Sequence, residues 1–112
     1  MTVIPASSPF GSLARTRVLL ALALLTESHA RELVRVLGTN LSSTQKALIS
    51  LERDGIVAAR AAGRTRLYRL SPRAPARAEL ARYLERLVEF EPALRARVAE
   101  LRRRPRRTGK PI

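Results

Sequence analysis

The chain of 112 residues has no cysteine and no tryptophan, and only one histidine, His29. Without thiols and with one imidazole it cannot build a thiolate or multi-histidine metal site, and no disulfide framework can support its fold. Aromatic residues make up 4% of the chain, which gives little sign of a ligand pocket. Long apolar runs are missing as well: the longest, Val18 to Leu25, is far short of the roughly 20 residues that cross a bilayer. Acidic residues are scarce, and the sole aspartate, Asp54, falls at a helix end. Glu85, Glu89 and Glu91 read as solvated flanks of a helix, so no acid–base or nucleophilic constellation is present. Neither an enzyme nor a cofactor is expected.

What the chain has in excess is arginine. Twenty-two basic residues face nine acidic ones for a net charge of +13, and all but Lys46 and Lys110 of the basic residues are Arg. The planar guanidinium fork grips phosphates and guanine edges in bidentate fashion, so a polyanion is the expected partner. A hydrophobic content of 46% supports one globular domain with a modest core, which a second subunit would enlarge. Arg15, Arg17, the run Val18 to Leu25 and Ser28-His29-Ala30 loosely imitate a signal peptide. Prolines at 5 and 9 lengthen the leader awkwardly, however, and cleavage after Ala30 would remove a helix that the core needs, so a cytoplasmic location is expected.

The expected order is an N-terminal arm, 1–11, a compact unit, 12–73, a helical segment, 74–104, and a basic tail, 105–112. Pro5, Pro9 and Gly11 favour loop in the arm. Ser12 is a cap for a helix to about Thr26 whose apolar residues, Leu13, Val18, Leu19, Leu22 and Leu25 with Leu20 and Leu24, cover most of its sides. Such a helix wants contacts on two fronts, the domain core and a second subunit. Ser28 caps a short helix carrying Ala30, Leu33, Val34 and Leu37 at amphipathic spacing, stopped by Gly38. A turn of Thr39, Asn40 and Leu41 follows, and Ser42 or Ser43 caps a third helix with Thr44, Ala47, Leu48 and Leu51 inward. From Ile56 the period changes: two extended stretches, 56–60 and 65–70, flank a Gly-containing connection and read as a β-hairpin closed by Pro72 and Pro75. Leu80, Leu84, Leu87, Glu91, Leu94, Val98 and Leu101 then recur at heptad spacing, with Pro92 dividing the segment into helices of about 76–90 and 92–104 or kinking it. The seam serves either its own domain or, as favoured here, a dimer contact through Leu80, Leu84, Leu87, Leu94, Val98 and Leu101. Five Arg and one Lys without an acid mark the stretch from Arg102 as a tail that stays disordered until it meets a polyanion.

Helix, short turn, helix and basic hairpin is the order of a winged helix-turn-helix, mostly α with a small β-hairpin. The third helix enters a major groove about 12 Å wide while the hairpin reaches the adjacent backbone. At 100° per residue the inward set leaves Ser42, Lys46, Ile49, Ser50 and Arg53 outward, with Ser43 and Gln45 on the flanks. The two serines, near a helix N-terminus, suit phosphate. Gln45 can pair bidentately with adenine, and Lys46 or Arg53 can reach guanine or phosphate. Residues 55–73 hold Arg60, Arg64, Arg66, Arg69 and Arg73 and no carboxylate, a field that serves no folding purpose. The expected DNA-contacting set is therefore Ser42, Ser43, Gln45, Lys46, Ser50, Arg53, Arg60, Arg64 and Arg66.

Three stretches carry a family resemblance: Ser28 to Gly38, Leu41-Ser-Ser-Thr-Gln-Lys-Ala-Leu-Ile-Ser-Leu-Glu-Arg-Asp-Gly55-Ile-Val, and Gly63-Arg-Thr-Arg-Leu-Tyr-Arg-Leu70. Together, over residues 12–70, they resemble the ArsR-like winged helix-turn-helix transcriptional regulators. The resemblance implies a homodimer joined by the first and last helices, a third helix in the major groove and a wing around Arg64 on the flanking backbone. Members that sense metals or oxidants do so with cysteines and histidines in the second or last helices, where this chain offers only His29, so no sensory site carries over and an effector stays unassigned. Thr44 stands where the family more often has an aliphatic residue. The wing also resembles that of winged modules found beside nucleotidyltransferase-like domains, but no transferase is expected within these 112 residues. The expected function is a dimeric, sequence-specific double-stranded DNA-binding regulator, most simply a repressor. The alternatives are an RNA-binding or ribosome-associated winged helix and a protein-interaction module, which the wing's charge disfavours.

Overall fold

The computed structural model describes residues 10–103, and the basic tail and most of the N-terminal arm lie outside the described residues. The fold has five helices and a two-stranded antiparallel hairpin among the described residues: α1 (Leu13–Leu25), α2 (Ala30–Leu37), α3 (Leu41–Arg53), β1 (Val57–Ala62), β2 (Thr65–Leu70), α4 (Arg77–Leu87) and α5 (Pro92–Arg103), with one 3₁₀ turn at Val88–Phe90. This is the mostly helical winged helix-turn-helix expected from the sequence.

α1 is the axis of the core. Thr16 and the unbroken stretch Val18 to Leu22 are buried, because α3, α2 and β2 pack around it together with α4 and α5. Packing around much of α1 is thus supplied from within the chain, while Leu13, Leu24 and Leu25 stay half-buried. Ser12 caps α1 as anticipated, its Oγ accepting from the Arg15 N–H at 3.1 Å.

The other caps differ from the sequence reading. His29, not Ser28, caps α2: its Nδ1 accepts from the Glu32 N–H at 3.2 Å. Ser28 is instead buried, exchanging backbone hydrogen bonds with Tyr68 (3.0 and 2.7 Å) and donating through Oγ to the Glu32 carboxylate at 2.6 Å. Asn40, not a serine, caps α3, with its Oδ1 accepting from the Ser43 N–H at 2.8 Å, so Leu41 is already helical and Ser42 and Ser43 sit in the first turn. Asn and Ser are near-equal caps, and spacing alone does not choose between them. Gly38 ends α2 with φ +65°, and a Cβ there would meet the Arg97 guanidinium at 2.6 Å. The left-handed φ is what favours glycine here, since the guanidinium is the far end of a flexible side chain and can shift aside.

The hairpin pairs Val57 with Leu70 through Ala62 with Thr65, leaving a two-residue turn of Gly63 and Arg64, tighter than the four-residue connection expected. Gly63 takes φ +65°, the left-handed region that the first position of such a turn reserves for glycine. Pro92 opens α5, where its missing N–H costs nothing, so the C-terminal segment is two helices.

The C-terminal seam folds inward. Leu84 has no exposed surface, Val98 retains 2% and Leu94 7%, all within the chain's own core. Their side chains are therefore not available to a second subunit, which corrects half of the expected dimer contact. Leu80, Leu87 and Leu101 are half-buried against the same core. Arg97 and Arg102 of α5 reach the carbonyls of Val36 and Leu24, near the C-terminal ends of α2 and α1, where a cation complements the helix dipole.

Candidate nucleic-acid interface

α3 is amphipathic in the sense the periodicity demands. Thr44, Ala47, Leu48 and Leu51 are buried, while Ser42, Gln45, Lys46, Ile49 and Arg53 are exposed. No hydrogen bond or ion pair ties the side chains of Gln45, Lys46 or Arg53 to another described residue, so all three are available to a ligand. Ser43 is half-buried and its Oγ lies 3.1 Å from that of Thr39.

Ser50, on the same helix, is half-buried. Its Oγ accepts from the Arg15 guanidinium at 2.5 Å, and the same nitrogen donates to Asp54 at 2.8 Å while Arg15 Nε holds the Phe10 carbonyl at 2.7 Å. Arg15 thereby clamps the C-terminal half of α3 to α1. Ser50 belongs to that clamp, and its hydroxyl is already engaged.

The wing arginines divide into two groups. Arg60 donates two bonds to Glu27, at 2.8 and 2.9 Å, and Arg69 stands 3.9 Å from the same carboxylate. Arg66 pairs with Glu52 at 2.8 Å, its guanidinium carbon 5.9 Å from the centre of the Tyr68 ring. The hydrogen bonds donated by Arg60 hold the Glu27 carboxyl below the usual carboxylate range, with the charges of Arg60 and Arg69 acting in the same sense and burial opposing them. Glu27 and Glu52 in turn raise Arg60 and Arg66 above the ordinary arginine value. These pairs tie the wing to the α1–α2 connection and to α3, so Arg60 and Arg66 are anchors whose charge is partly matched in place. Arg64, at the exposed tip, has no ion-pair partner among the described residues and is the wing's free cation with Arg73.

Sequence reasoning missed Glu27, Glu52 and Arg15 because their partners lie 14 to 39 positions away. No local pattern announces such pairs. Among the described residues no cluster of three His, Cys, Asp or Glu side chains can hold a metal, and no helix is long and apolar enough to cross a membrane.

No family model matches the chain, and no curated protein does so. Solved structures do. A cysteine-to-serine mutant of MarR from E. coli aligns with TM-score 0.57 and 22% identity over 81% of this chain and 72% of its own. A double mutant of Lactococcus lactis ZitR aligns with TM-score 0.55 and 16% identity over 90% of this chain and 67% of its own. The same ZitR mutant in apo form gives 0.54 and 20% over 75% and 67%. At these identities the likeness establishes the winged helix-turn-helix fold.

Proposed function

We propose that the chain is a sequence-specific double-stranded DNA-binding transcriptional regulator of the ArsR-like kind, without enzymatic activity, acting as a homodimeric repressor. The observation that carries the reading is the outward face of α3. Gln45, Lys46 and Arg53 stand exposed and unpaired there on a chain of net charge +13, beside a wing whose tip presents Arg64. A face of this shape and chemistry fits a major groove, with glutamine matched to adenine and lysine or arginine to guanine. Arg64 fits the flanking phosphates, with Arg66 tying the ribbon to α3 and Arg60 tying it to the α1–α2 connection. Residues 12–73 form the DNA-binding unit in this reading, and residues 74–104 supply the subunit contact. The fold shared with MarR and ZitR supports it.

The test is selection of bound fragments from randomised duplex DNA with matched RNA as competitor. A defined duplex motif is expected. Enrichment of RNA, or of nothing, overturns the reading. On the selected duplex, Gln45→Ala and Lys46→Ala should reduce discrimination against random DNA, each good base contact contributing about 1 to 3 kcal/mol. Equal losses on both DNAs would contradict a base-reading role.

A further inference from the structure

The outward face of α3 carries one residue that neither polar base pairing nor core packing explains. Ile49 is 58% exposed, the most exposed of the large apolar side chains in the described chain. It stands four residues after Gln45, three after Lys46 and four before Arg53, so on the helix surface these three free polar side chains surround it. Its neighbours on the outward face of α3 are thus hydrophilic, and the ring pair of Phe10 and Tyr83, with centroids 5.9 Å apart, is built from the residues before α1 and from α4. A β-branched side chain with a stiff χ1 presents a fixed apolar contour at the centre of a cationic face. The only apolar feature that base edges offer in a major groove is the C5 methyl group, present on thymine and absent from unmodified cytosine.

We propose that Ile49 is a specificity-determining residue that reads a pyrimidine C5 methyl group, placing thymine at one fixed position of each bound half-site beside the bases read by Gln45 and Lys46. This rests on the DNA-binding reading above and deepens it. Covering one methyl group in a dry contact corresponds to about 0.8 kcal/mol, hence a change of about fourfold in affinity.

The test uses the full chain and a duplex obtained by selection, in which each thymine is replaced in turn by deoxyuridine, a change that removes the methyl group and leaves the pairing edge intact. Wild type is expected to lose about fourfold in affinity at one position per half-site, and with the pair there changed to C·G, 5-methylcytosine should bind about fourfold more tightly than cytosine. Ile49→Ala should bind the unmodified duplex more weakly and be indifferent to deoxyuridine at that position, while Ile49→Val should keep part of the sensitivity. Because the side chain is exposed, both variants should fold, which circular dichroism checks. If wild type tolerates deoxyuridine everywhere, or if Ile49→Ala remains as sensitive as wild type, the methyl-reading role is wrong although DNA binding stands. If no duplex is selected at all, both readings fall.

Discussion

At the scale of single residues, Thr44 carries the clearest misfit between side chain and surroundings. It is buried in the inward row of α3, and its hydroxyl has no hydrogen-bond partner among the described residues. Thr16 shows the contrast: equally buried on α1, it donates through Oγ1 to the Ser12 carbonyl at 3.0 Å. A buried hydroxyl without a partner costs about 1 to 3 kcal/mol of desolvation, whereas a methyl of nearly the same shape costs none. Thr44→Val should therefore raise stability by about 1 kcal/mol, seen as a higher denaturation midpoint with an unchanged slope against denaturant. A lower midpoint would mean that the hydroxyl is satisfied after all. The outward row of α3 is untouched by this change, so affinity for DNA should stay the same.

At the scale of elements, α4 bears on the proposed subunit contact. Heptad spacing from Leu80 to Leu101 was legible, but the same spacing serves a helix that packs on its own domain and one that pairs with a copy, and only the path of the chain separates the two. In the structure Leu84 turns inward with Leu94 and Val98. Beside it on α4 and the following turn, Leu80 and Leu87 are half-buried, while Tyr83 is 48% and Phe90 55% exposed. Leu84→Glu should accordingly unfold the chain: an uncompensated charge in the core costs on the order of 3 to 5 kcal/mol, a large part of a small domain's stability. Tyr83→Glu combined with Phe90→Glu should leave the helical signal intact and shift a dimer to monomer in sedimentation. A double variant that still sediments as a dimer would move the contact away from α4. The inward row of α3 and the two-strand wing were readable because a helical or alternating period directly encodes burial within one element. The caps at His29 and Asn40 and the clamp of Arg15 on Ser50 and Asp54 were not, since they depend on side-chain choice between equivalent groups or on residues distant in the chain.

At the scale of the whole molecule, the excess positive charge is unevenly useful. The sequence shows an acid-free wing, and its arginines read there as equivalent. Folding brings Glu27 and Glu52 against three of them and so separates anchors from free cations. An arginine already held by a carboxylate contributes little new neutralisation when a phosphate approaches, and it releases correspondingly few counterions from the DNA. A free one releases close to one counterion for each phosphate it meets, so the logarithm of affinity falls with the logarithm of salt by about 0.9 per contact. Arg64→Ala should thus flatten the salt dependence by about one unit and weaken binding to every duplex alike. Arg60→Ala should leave that slope nearly unchanged and instead loosen the wing, reducing affinity through lost positioning. Glu27→Gln separates the two effects: with its carboxylate neutralised, Arg60 and Arg69 become available to phosphate, and the slope should steepen. Titrations of the three variants on one duplex over a range of salt concentrations decide the matter. If Arg60→Ala and Arg64→Ala flatten the slope equally, the carboxylates do not divide the wing, and its arginines act as the uniform field that the sequence alone suggests.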